Sequence, residues 1–186
     1  MMPSWQLLIT LLVAWLLSAI LMTALWRRQR RGRNAAAVVD VAWSFCTGLV
    51  AMAGAAMVDG DPGRRLLVAG LALAWAVRLG VHLVQRLRRE GEDGRYEMMK
   101  ERWGGEDERA SDRKMLGFYQ LQAAWTVGFA LPLIAAAAGD KPPGQWHDFA
   151  AVAIWLIGWA GEAVADRQLA AFKAEADRGG EKTRVC

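Results

Sequence analysis

Apolar residues in this chain come in long blocks, separated by short segments of charged or turn-forming residues. A block of about twenty apolar residues, wound as a helix, is long enough to cross a bilayer core of roughly 30 Å. The blocks fall at about residues 5–26, 35–58, 65–84, 115–138 and 148–171. Their pattern predicts an all-α fold, a polytopic transmembrane helical bundle of about five spans forming a single membrane domain over residues 1–186. There is no strand alternation and no tandem repeat to suggest another class.

The segments between the blocks support this division. The first block, Trp5 to Trp26, is followed at once by Arg27, Arg28, Arg30, Arg31 and Arg33. A secretory signal carries its positive charge before the apolar run, so this segment reads as a retained first span. Asp59-Gly60-Asp61-Pro62-Gly63 and Gly139-Asp140-Lys141-Pro142-Pro143-Gly144 are turn compositions that reverse the chain in short loops. Pro132 predicts a kink late in the fourth span, and Asp148 a cap for the fifth helix. Residues 86–114 hold nine Lys or Arg against nine Asp or Glu, too polar for a span, with helix expected over Tyr96 to Trp103. If the spans alternate, the two loops opposite the arginine cluster hold only Arg64, Arg65 and Lys141 as basic residues. That bias predicts the N-terminus outside and the C-terminus and the 86–114 loop in the cytoplasm.

Composition adds little beyond this. Hydrophobic residues make up 54% of the chain and there are ten Trp, read as interface anchors and packing. The net charge of +4 comes from basic residues flanking the spans, so no nucleic-acid partner is implied; the bilayer is the expected surroundings. Cys46 and Cys186 make neither a disulfide framework nor a metal pattern, and no metal site is expected.

The candidate chemistry lies in ionisable residues at membrane depth, which are costly there and usually face a bundle interior or an aqueous cavity. Arg78, His82 and Arg86, each four apart, form one cationic stripe on an apolar helix, a wall suited to a negatively charged ligand. Arg78 could instead snorkel to the interface, and Arg86 lies at the interface in any reading. Asp40 is either a carboxylate near the headgroups or a buried acid able to donate a proton or bind a polar substrate group. Glu162 and Asp166, four apart on the fifth span, repel each other and call for cations or water, by pairing with the Arg78 stripe or with a ligand.

Taken in order, Asp40-Val-Ala-Trp43, Arg78-Leu-Gly-Val-His82 with Arg86, Gly91-Glu92-Asp93-Gly94-Arg95-Tyr96, Arg102-Trp103-Gly104, and Gly161-Glu162 through Asp166, Gln168, Phe172 and Lys173 resemble the bacterial steroid 5-alpha-reductase-like membrane proteins, the family of domain of unknown function 1295. The resemblance spans nearly the whole chain. It implies an integral protein of the bacterial inner membrane that uses NADPH to reduce a carbon–carbon double bond in a hydrophobic, sterol-like or enone substrate. It places Asp40 and His82 as the catalytic candidates at the substrate carbonyl, although the steroid enzymes have a tyrosine at the second position. Arg78, Arg86, Glu92, Asp93, Arg95 and Tyr96 would meet the cofactor, with Glu162 and Asp166 on the helix before its motif. That motif, Arg-His-Pro-Asn-Tyr, lies beyond Cys186 in the family, so the chain is expected to be truncated before it. Two alternatives stay open: a relative of the isoprenylcysteine-type membrane methyltransferases, and a non-catalytic membrane scaffold in which the charged positions only pair helices.

Overall fold

The computed structural model describes residues 4–104 and 107–178. Six helices follow in order: α1 (Ser4–Arg30), α2 (Val38–Met57), α3 (Pro62–Glu90), α4 (Gly94–Gly104), α5 (Glu108–Ala137) and α6 (Trp146–Arg178). All but α4 are long and apolar enough to cross a membrane. The all-helical, five-span expectation therefore holds, with no strand among the described residues. The chain forms two compact units, residues 1–142 and 143–186.

In the first unit, α2 and α5 form the centre: α2 packs against α1, α3 and α5, and α5 also packs against α1, α3 and α4. Lipid tails are as apolar as the side chains, so helices in a membrane are held by close packing, and small residues let backbones approach. The α2–α3 seam shows this directly. A Cβ added at Gly48 would lie 2.4 Å from the Ala76 Cβ, and one added at Gly80 would lie 2.4 Å from the Phe45 ring. Buried Val50, Ala51, Ala72, Ala130 and Ile134 continue the packing between α2, α3 and α5. Large apolar side chains point outward instead, Leu17 and Ile20 on α1 being 62% and 65% exposed, as a lipid-facing surface requires.

The helices run further than the apolar blocks. α3 continues to Glu90 and α5 begins at Glu108, so the charged 86–114 segment is mostly helix, with α4 between. Asp107 makes the early start of α5 possible, its carboxylate accepting the N–H groups of Arg109 at 2.9 Å and Ala110 at 3.2 Å. α5 stays helical through Pro132 to Ala137. In the second unit α6 opens at Trp146, ahead of Asp148; that carboxylate reaches back to the N–H groups of Gly144 and Gln145, both at 3.0 Å. Asp148 thus serves the helix start from inside the first turn.

Candidate functional site

The site forms where the start of α2 meets the α3–α4 turn. Gly91 ends α3 at φ +73°, a backbone conformation that side chains disfavour, and its N–H closes on the Leu87 carbonyl at 3.0 Å. The sharp turn throws Glu92 and Asp93 inward.

Glu92 reaches the backbone turn that leads into α2. Its carboxylate accepts the N–H of Ala36 at 2.8 Å and of Ala37 at 3.2 Å, the two residues just ahead of the helix. Lys100 pairs with the same carboxylate at 3.0 Å. From α5, the buried Tyr119 hydroxyl donates to the Ala36 carbonyl at 3.0 Å. Together these contacts fix the start of α2, and with it Asp40 one turn further on.

Asp40 is held by three side chains from two helices, α4 and α5. The Tyr96 hydroxyl of α4 donates to its Oδ1 at 2.8 Å, the Gln122 amide of α5 to the same oxygen at 3.2 Å, and the Arg95 guanidinium lies 3.5 Å from Oδ2. Tyr96 is buried, and its ring meets Phe118 edge-on at 5.9 Å. Burial, and after it the Asp40 carboxylate, push the Tyr96 phenol far above its ordinary range, so it stays protonated and remains a donor.

Asp93 links the arginines. Its Oδ2 accepts from Arg95 Nη2 at 2.8 Å and from Arg86 Nη2 at 3.1 Å, while Oδ1 accepts the Arg95 N–H at 3.0 Å. Burial pushes the Asp93 carboxyl up, but the hydrogen bonds from Arg95 and the charges of Arg95 and Arg86 outweigh it and hold the group below the usual carboxylate range. The Asp93 hydrogen bond in turn raises Arg95 further above its already high value. Beside Asp40 is a small cavity of about 20 Å³, room for a water molecule, lined by Ala37, Asp40, Leu83, Arg86, Leu87, Gly91 and Asp93.

Of the residues singled out from sequence, Asp40, Arg86, Glu92, Asp93, Arg95 and Tyr96 come together here. Arg78 and His82 stand on α3 about two turns and one turn before Arg86, respectively, and neither lines the cavity at Asp40. Glu162 and Asp166 lie on α6 in the second unit, Glu162 on an exposed face. No group of His, Cys, Asp and Glu among the described residues could hold a metal ion. Gln122 and Tyr119 are site residues that sequence reasoning did not pick out. With Thr126 they form a polar stripe at spacings of three and four on an apolar helix, the signal that could have marked them.

No curated protein and no solved structure matches the chain. A family model does, that of a protein of unknown function (DUF1295), over residues 25–185. The match includes every residue of the Asp40–Tyr96 site, and the chain belongs to the DUF1295 family.

Proposed function

We propose that this chain is a membrane-embedded, reductase-like protein of the steroid 5-alpha-reductase type, in which Asp40 and Tyr96 hold the carbonyl oxygen of a lipid-like or sterol-like enone. The observation that carries the reading is the 2.8 Å contact between the Tyr96 hydroxyl and Asp40, in the first turn of a membrane-length helix. The phenol proton is turned to Asp40 as the pair stands; with Asp40 protonated and donating to the phenol oxygen, carboxyl and phenol act in relay as donors to a carbonyl oxygen. Such donors stabilise the negative charge that develops on that oxygen when the conjugated double bond is reduced. Tyr96 thereby takes the place beside Asp40 that the resemblance gave to His82. In this reading the protein resides in the bacterial inner membrane with its N-terminus outside, supported by the basic residues gathered at one end of the spans.

NADPH is the reductant that the resemblance implies, and the residues at this site do not fit its phosphates as arranged. Arg86 and Arg95 are both bonded to Asp93, Lys100 is bonded to Glu92, and the adjoining cavity takes about one water. The reading therefore rests on the carbonyl pair.

The same internal pairing supports the scaffold as a second reading, in which the charged groups only join helices. Binding to detergent-purified protein separates the two. A steroid 4-en-3-one and its 3-deoxy analogue, alike in shape, differ in the carbonyl alone. Preference for the ketone, lost in Tyr96→Phe and Asp40→Asn, supports the reductase-like reading. Equal binding of the two, or no binding of either, supports the scaffold.

A further inference from the structure

The arginines that end α1 divide into two sets. Arg30 turns toward the bundle: its guanidinium lies 2.6 Å from Asp112 of α5 and 5.0 Å over the Trp26 ring. Arg27, Arg28 and Arg31 line a groove of about 560 Å³ whose other lining residues are Leu16, Ala19, Ile20, Thr23 and Ala24. No carboxylate lines it among the described residues. The groove is thus apolar along the membrane-depth part of α1, where Leu16 and Ile20 are 50% and 65% exposed, and cationic at the end where the helix leaves the membrane.

We propose that this groove is a binding site for an anionic phospholipid, its acyl chain lying along Leu16, Ile20 and Ala24 and its phosphate held by Arg27, Arg28 and Arg31. Three features select this occupant. The order of apolar and cationic surface along the helix matches that of a lipid. Guanidinium groups offer paired donors that match phosphate oxygens and stay charged at any working pH. Among the described residues the lining carries three positive charges and no acid, which favours a lipid of net negative charge over a zwitterionic one. The site is separate from Asp40 and does not depend on the reading given for it.

The test is lipid binding to the full chain in detergent, followed by native mass spectrometry with phosphatidylglycerol and phosphatidylcholine of identical acyl chains. The expected result is a preference of about ten-fold for phosphatidylglycerol, less than three fully additive basic residues at a membrane surface would give, because phosphatidylcholine carries the same phosphate. The preference should fall away in the triple variant R27Q/R28Q/R31Q and persist in Arg30→Gln. Because three substitutions beside a span can disturb insertion, Arg28→Gln and Arg31→Gln are also measured singly; each should lower the preference at an unchanged thermal midpoint. Equal binding of the two lipids overturns the proposal, as does a preference that survives in the single variants. Loss of the bound lipid to millimolar inorganic phosphate would make the site one for a soluble anion and also overturns it.

Discussion

Glu92 caps helix α2 from 56 residues away, its carboxylate accepting the Ala36 N–H at 2.8 Å. The contact joins the α3–α4 turn to the helix that carries Asp40. An N-terminal cap lost to alanine typically costs about 0.5–2 kcal/mol. Glu92→Ala should lower the thermal midpoint of the detergent-solubilised protein accordingly, and Glu92→Gln, which keeps an acceptor oxygen but not the charge, should lower it less. A Glu92→Ala midpoint equal to that of the wild type would mean that the start of α2 is held without this carboxylate.

Tyr119 holds the same turn of α2 from the other side. Its hydroxyl is fully buried and donates to the Ala36 carbonyl. Tyr119→Phe keeps the ring and removes one of two donors to this carbonyl, which still accepts the Val39 N–H at 3.1 Å; the loss of one such hydrogen bond costs about 0.5–1.5 kcal/mol. Thermal unfolding should show the loss in Tyr119→Phe. In the double variant with Glu92→Ala the effects should depart from additivity, because both residues brace one turn.

These two contacts also mark the boundary of what the sequence reveals. The spans were legible because bilayer thickness sets their length and burial of the peptide groups sets their form. Their ends were not. The apolar pattern of the third span fades near Val84, yet α3 runs to Glu90, since arginines and glutamates extend a helix into water at little cost. Asp40 stood out as an acid inside an apolar block. Its partners could not be read from spacing, because Tyr96 and Gln122 reach it from two other helices. Glu92 and Asp93 were noticed as charges at a mouth, but that their carboxylates are taken up by backbone donors and arginines depends on the Gly91 turn, which fixes their direction only in three dimensions.

Asp93 predicts the response to acid. Its folded-state pKa lies below the ordinary value near 3.9, so the native state prefers the ionised form more strongly than the unfolded chain does. The stabilisation is fully present above the unfolded value and is lost as the pH falls through the lowered folded one. Between about pH 5 and the acid limit of the fold, the wild type should lose stability as the pH drops. Asp93→Asn should start less stable at neutral pH and show a shallower acid dependence. Thermal midpoints across that pH range check both, and parallel curves for the two proteins would remove Asp93 as a source of the acid response.

The close approach of α2 and α3 gives a prediction about packing. At Gly48 an added Cβ would meet the Ala76 Cβ at 2.4 Å, with the Ala72 carbonyl oxygen 3.5 Å away, a methyl group and a backbone atom that cannot swing aside. The helices must separate instead, and overpacking of this kind typically costs about 1–3 kcal/mol. Gly48→Ala should therefore destabilise the protein, whereas Gly70→Ala, where the added carbon meets nothing within 4 Å, should not. Removing the opposing methyl group provides the internal check. If the clash is the cause, Gly48→Ala combined with Ala76→Gly should recover much of the loss, because the methyl group has only changed sides. A double variant as unstable as the sum of its single changes would place the cost in helix propensity or lipid contacts rather than in the distance between α2 and α3.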